Sequence, residues 1–359
     1  VDFRQGLPVG FVSGGTPSIS ADGLLIEAAT VNQATYSNDL SQWNLNGNAV
    51  LHAAAAPDGG AAFSIVMDAL WYSGVYRSLA GLTNGAPLTF SGYFKYVSGD
   101  GTVLFGSDNT VFGGGSDPAL LTFSCQDGSV ISASAGVTSC SVQAVDNGWY
   151  RAQLTATLAT GTSSSILVFH GAPVVGENVA WGIQAEQTGV ATSLIATGVD
   201  PMSRSADVVT LGNLAAIGFN PTEGTLLVEG IFEGVNGSIN QPLIQLDDGS
   251  ASNRLLLGQS GGQLRVTVDS SGSTVMEAGV LSSPAANTVY KLAVGYKNGA
   301  FNACANGGTV STAASGAVPG GLSTLRLGND GSAFANGWVR KAAYFPRKLP
   351  DAELKLLTA

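Results

Sequence analysis

Charge is scarce in this chain. Asp, Glu, Lys and Arg together make up 11% of its 359 residues, and the balance is acidic, with a formal net charge of -10. No cluster of Lys or Arg offsets that excess, so a phosphate backbone would be repelled and nucleic acid is excluded as an expected partner. Histidine is scarcer still, with only His52 and His170, and the three cysteines show no Cys-x-x-Cys spacing. That leaves no ligand set for zinc. An odd cysteine count also rules out a complete disulfide framework. Long apolar runs are missing too: hydropathy is positive on average but comes from scattered Ala, Val and Leu, and no run approaches the ~18 residues that cross a bilayer. A soluble chain without membrane insertion is expected, and its first residues do not follow a signal-peptide pattern.

Helix-length periodicity is nearly absent, and what fills its place is a turn-rich β composition with 49 glycines and abundant Ser, Thr, Ala and Val. Alternating apolar and polar segments recur from end to end, among them "PLTFSGYFKYV" from Pro87, "SSILVFHG" from Ser164, "GTLLVEGIFEG" from Gly224, "QLRVTVD" from Gln263 and "VYKLAVGYK" from Val289. Such spacing predicts antiparallel sandwiches. The clearest helical exception is the terminal "LPDAELKLLTA", where Pro350 and Asp351 suit a first turn and Leu354, Leu357 and the stem of Lys355 are placed to cover a sheet. At roughly 150 residues per domain the length suggests two domains, and the turn formers between Gly198 and Gly224 put the division around Ala206. The expected layout is an arm over 1–20, a first sandwich over 21–205 and a second over 206–359. Cys125 and Cys140 flank "CQDGSVISASAGVTSC", and a bridge between them across a hairpin is the minor reading; free buried thiols are expected of a protein made in a reducing cytoplasm.

Several stretches, taken in order, resemble a module of bacteriophage virion proteins, especially tail-fibre, receptor-binding and head-fibre components. "ADGLLIEAATVNQATYSNDLSQWNLNGNAVLHAAAAPDGGAAFSIV" resembles its opening, "NGWYRAQLTATL" and "VAWGIQAEQTGVATSLIATG" its later strands and exit, and "SRSADVVTL" the bridge into a second domain. "NGWVRKAAYFPRKLPDAELKLLTA" resembles that domain's closing strand and helix. The resemblance runs from about Ala21 to Ala359. It implies an all-β chain of two antiparallel jelly-roll sandwiches in tandem, the first like carbohydrate-binding modules and the second concanavalin-like or laminin-G-like, with a short C-terminal helix. It further implies a non-enzymatic virion protein, made in the host cytoplasm, commonly trimeric, whose partners are host-surface glycans and other virion proteins. The chain departs from the pattern in lacking an Arg often found where Thr30 to Asn32 lie, and in its "DALWYSGVYRSLAG".

Catalysis has little to work with. Neither histidine is near a Gly-x-Ser-x-Gly elbow. Some glucanases on a sandwich of the second type place two glutamates on one strand with an aspartate between them; here Glu229 and Glu233 share a face but Ile231 stands between. At ~3.3 Å per residue the pair is about 13 Å apart, outside the roughly 5 to 9.5 Å of glycosidases. A catalytic or carbohydrate-binding part of a polysaccharide-degrading enzyme is the alternative class, and a purely structural virion protein a third. No cofactor is expected. Calcium is the one metal left open, at Asp247 and Asp248 or at Asn329 and Asp330, but these Asp-Gly and Asn-Gly stretches read first as hairpin turns.

Sugar binding needs flat aromatic faces beside polar groups. "LWYSGVYRS" offers Trp71, Tyr72, Tyr76 and Arg77 within seven residues, and alternation forbids Trp71 and Tyr72 from both pointing inward. These four are the candidate carbohydrate site. The repeated Asn-Gly-Trp-x-Arg at Asn147 and Asn336 puts Trp149 with Arg151, and Trp338 with Arg340, on one strand face each, where a Trp–Arg stack is expected.

Overall fold

In "PLTFSGYFKYVS" Leu88, Phe90, Phe94 and Tyr96 fall in one alternating row, and a strand sends alternate side chains to opposite faces. Accordingly Leu88, Phe90 and Phe94 of the Pro87–Ser98 strand are buried in a sandwich core, while Thr89 and Ser91 turn to the other side. The computed structural model describes residues 2, 4, 12–13, 18–68, 73–170, 175–235 and 239–359. Among the described residues the chain is all-β apart from one α-helix and short 3-10 turns, and it divides into two units, Thr30–Arg204 and a composite of Val1–Ala29 with Ser205–Ala359.

The Thr30–Arg204 unit has two antiparallel sheets. One runs in the order Val130–Ala133, Asp117–Ser124, Thr102–Phe112, Ser163–His170, Gly74–Ala80, Asn44–Asn46. The other contains Val137–Ala144, Trp149–Thr157, Pro87–Ser98, Gly176–Glu186, Thr30–Asn32 and Met202–Arg204, with the Val50–Ala55 and Ala61–Met67 hairpin added on Gly176–Glu186. Phenylalanines fill the core: Phe94 meets Phe105 and Phe123 edge to face at 5.0 and 5.2 Å, a favoured aromatic arrangement.

The composite unit has two seven-stranded sheets. Its first runs Val12–Ser13, Val209–Leu211, Thr324–Leu327, Gln241–Asp247, Arg254–Ser260, Gln263–Ser270, Ser273–Ser282, and its second Ile19–Ser20, Gly23–Ile26, Gly337–Phe345, Glu223–Phe232, Val289–Lys297, Ala300–Ala305, Ser311–Ala313. The terminal helix, Asp351–Thr358, buries Leu354 against Leu227, Ala293 and Cys304. Leu357 joins that contact, whereas Lys355 is exposed and Thr358 is the buried neighbour instead.

The chain passes from one unit to the other beside Ala206, but the N-terminal boundary lies elsewhere than expected. "GLLI" at Gly23–Ile26, read as the opening strand of the first sandwich, pairs with the closing strand of the second, Leu24 opposite Val339 and Ile26 opposite Gly337. Leu24 and Ile26 are fully buried in that core. An apolar strand joins whichever edge lets it bury both faces, and pattern alone does not say which. In the stretch read as an arm, Val12–Ser13 and Ile19–Ser20 likewise pair inside the composite unit.

Candidate functional site

Alternation along Gly74–Ala80 decides the site. Val75 and Leu79 enter the core, so Tyr76 and Ser78 face outward from the six-stranded sheet. Tyr76 stands opposite Leu167 in the neighbouring strand. Leu104, Leu167 and Phe169 form a buried apolar cluster on this outer face, with Tyr76 and Leu120 packed against it. Gly74 lies between Asn46 and Phe169 in register, at φ +156°. A Cβ there would sit 2.2 Å from the Val168 carbonyl oxygen and 2.7 Å from Phe169 Cδ1, so only glycine lets the phenylalanine ring lie where it does.

Above this floor is a hollow of about 660 Å³, within the usual range of ligand sites. Its rim is polar: Asn46, Ser78, Asp108, Asn109, Ser163 and Ser165. Ser165 Oγ lies 3.2 Å from Asp108 Oδ1 and 3.0 Å from Asn109 Oδ1. One hydroxyl hydrogen serves one acceptor at a time, so acceptor capacity is left for a guest. Ser107 Oγ and Ser164 Oγ pair at 2.9 Å at the edge of the core. An apolar floor with a ring of hydroxyl, amide and carboxylate groups suits a pyranose, which has a C–H face and a hydroxyl rim. Among the described lining residues Asp108 is the one carboxylate, whereas glycosidic cleavage uses two.

Of the four residues singled out from the sequence, Tyr76 lines this hollow. Arg77, one position on, points to the opposite face: Nε donates to Thr35 Oγ1 and Nη1 to the Gln42 carbonyl, both at 2.8 Å, and the guanidinium lies 5.1 Å from the Tyr36 ring centroid. The structure therefore does not bring Arg77 together with Tyr76. Trp71 and Tyr72 lie outside the described residues. Asp108, Asn109, Ser165 and Phe169 escaped the sequence reading, although "SSSILVF" already places Ser165, Leu167 and Phe169 on one face by its period of two.

The two Trp-x-Arg motifs are built differently from the expected stack. Arg151 lies over Tyr93, its cross-strand partner, at 5.7 Å and donates to the Thr192 carbonyl. Trp149 is instead buried with Trp181, Val179 and Ala62. In the composite unit Trp338 Nε1 donates to Glu233 Oε1 at 3.1 Å and Arg340 pairs with Glu229 at 3.3 Å. Both glutamates of the glucanase comparison are thus engaged by neighbouring side chains.

The remaining chemical candidates are also accounted for by local contacts. His52 Nδ1 lies 3.3 Å from Glu177 Oε1, and Ser64 Oγ donates to that same carboxylate oxygen at 2.5 Å. A serine bonded to the carboxylate has no imidazole taking up its proton, which is what a triad requires. Asp247 is held by Arg326 and Gln245, and Asp248 by Ser250 and Asn253, whose hydrogen bonds keep its carboxyl below the usual range. Asp330 accepts from Ser332 and Ala333 within its own turn. Among the described residues no group of three or more His, Cys, Asp or Glu is placed to hold a metal. Cys125, Cys140 and Cys304 are free, and burial pushes the Cys125 and Cys140 thiols up.

No family model matches the chain, and no curated protein does. Among solved structures it is similar to the CBM40 domain of Ruminococcus gnavus IT-sialidase bound to α2,3-sialyllactose, with 15% identity, a TM-score of 0.34, and 40% of this chain and 87% of that one covered. It is similar to the CBM22-1–CBM22-2 tandem of Paenibacillus barcinonensis Xyn10C, with 11% identity, a TM-score of 0.30 and coverage of 91% and 93%. Domains LG4-5 of the mouse laminin α1 chain overlap at 10% identity and a TM-score of 0.28, covering 80% of this chain and 91% of that one.

Proposed function

We propose that this chain is a non-enzymatic glycan-binding protein of a virion surface, a tail-fibre or head-fibre component that attaches to host glycans and to other virion proteins. The hollow on the outer face of the six-stranded sheet carries the binding half of this reading, with its Leu167 and Phe169 floor, Tyr76 flank and polar rim. The virion half is supported by the ordered sequence resemblance from Ala21 to Ala359, which also supports a homotrimer made in the host cytoplasm. The function requires neither a metal nor a cofactor. Engagement of Glu229 by Arg340 and of Glu233 by Trp338 supports a role without catalysis.

Replacing Tyr76 by alanine is expected to weaken binding to an immobilised glycan or to host cells about tenfold, the worth of one aromatic contact of ~1.4 kcal/mol. Unchanged binding by a variant with native circular dichroism would retire the site. Reducing-sugar release that Glu229→Gln or Glu233→Gln abolishes would establish an enzyme instead. Immunogold labelling of particles tests the virion placement, and sedimentation equilibrium at three times the chain mass tests the trimer.

A further inference from the structure

We infer that the hollow selects uncharged sugars and rejects glycans ending in a carboxylate, such as sialic or uronic acids, with Asp108 as the residue that sets this preference. The inference rests on the glycan-binding reading of the same site. Three observations lead to it.

The first is the charge of the lining. Among the described lining residues there is one ionisable acid, Asp108, and no Lys or Arg; the remaining polar groups are amides and hydroxyls. A bound carboxylate needs a cation or a set of N–H donors to replace its water, and Arg is the residue that does this best.

The second is where the nearest arginine in sequence goes. Arg77 follows Tyr76 but lies on the other face of the strand, with donors already given to Thr35 and Gln42 and its plane over Tyr36. Swinging it to the outer face would break both hydrogen bonds and reverse the strand's alternation. The composite unit shows that arginines on an outer sheet face are available to this chain, as at Arg254 and Arg265, so their absence from the described hollow is a property of this site.

The third is the way Asp108 is held. Ser165 Oγ is shared between Asp108 and Asn109, and Asn109 Oδ1 also faces the Ser107 and Ser164 hydroxyls at 3.4 Å each, which leaves the exposed Asp108 carboxylate as the open acceptor on the rim. The two oxygens of that carboxylate match two neighbouring hydroxyls of a neutral hexose. The same carboxylate repels an acidic sugar, and that repulsion grows as the guest displaces water.

The experiment is an array of neutral oligosaccharides printed beside their sialylated and uronic-acid counterparts, followed by calorimetry of the best neutral binder with the native chain and with Asp108→Asn. The expected result is that neutral members bind about tenfold or more tightly than their acidic counterparts, corresponding to ~1.4 kcal/mol. Asp108→Asn should weaken the neutral sugar and narrow the gap to the acidic one. Equal or tighter binding of the acidic members overturns the selectivity while leaving a glycan site in place. A gap that Asp108→Asn leaves unchanged overturns the role given to Asp108. If the folded native chain binds no oligosaccharide on the array, the glycan-binding reading fails and this inference fails with it.

Discussion

On the outer face of the first seven-stranded sheet of the composite unit, Arg326 meets Asp247 at 2.7 Å, Arg254 meets Asp269 at 2.8 Å, and Arg265 pairs with Glu277. On the outer face of the six-stranded sheet of the Thr30–Arg204 unit, one acid stands among serines and asparagines over a floor of Leu167, Phe169 and Tyr76. The first face has a hollow of about 230 Å³, the second about 660 Å³. Charged groups that neutralise one another leave little for a guest to bind. Apolar ground beside hydroxyls and amides gives a guest both contact area and partners. The two faces therefore separate into one closed by ion pairs and one left open, the face to which we assign glycan binding.

The largest effect expected on that contrast comes from Arg326→Met. Asp247 is almost fully buried beside Arg326, and stripping a buried acid of its guanidinium costs about 3 kcal/mol. Urea unfolding followed by tryptophan fluorescence should show this loss, with glycan binding unaffected; an unchanged midpoint would mean that the face is not a closed network. Next comes Gly74→Ala, which forces a side chain into the Val168 carbonyl and the Phe169 ring. A loss of about 2 kcal/mol in the same assay, together with loss of glycan binding, would tie the recognition face to the position of that ring. Native affinity in this variant would detach the floor from the function.

A smaller effect should appear in acid. Burial raises the Asp330 carboxyl, but hydrogen bonds from Ala333 and Ser332 outweigh it and hold the group below its ordinary range. Its stabilising contribution is then complete above about pH 4, the unfolded value, and is lost as pH falls through the lower folded value. Asp330→Ala should therefore flatten the acid limb of the stability curve and leave its shape from pH 5 to 7 unchanged. Smallest of all is Glu277→Gln, which removes a half-exposed partner of Arg265. Such surface pairs contribute about 0.5 kcal/mol, so a shift well above that would place this pair with Arg326 and Asp247.

Much of the first unit could be read from alternation. Leu88, Phe90 and Phe94 followed their period into the core, and Tyr76 fell on the outer face for the same reason. The free cysteines were one of two open readings, and the hairpin that would have joined Cys125 to Cys140 is absent, because Cys140 lies in a strand paired with Trp149–Thr157. What local pattern missed were contacts chosen across strands. Arg151 shares a face with Trp149 but stacks on Tyr93, because the residue directly across an antiparallel pair is nearer than the one two positions along. Asp108 and Ser165 meet across 57 residues of chain, and no spacing in the sequence marks them as partners.

The sequence by itself determined that this chain is built of strands and which side chains of each strand are apolar. These are consequences of composition and of a period of two, and they act within a few residues. Tertiary structure decided which edge each strand joins. Gly23–Ile26 completes a sheet whose closing strand lies more than 300 positions later in the chain, because burial of Leu24 and Ile26 is favourable at any edge that excludes water from both. It also decided which outer face would be neutralised by ion pairs and which left open, since that depends on side chains brought opposite one another by register.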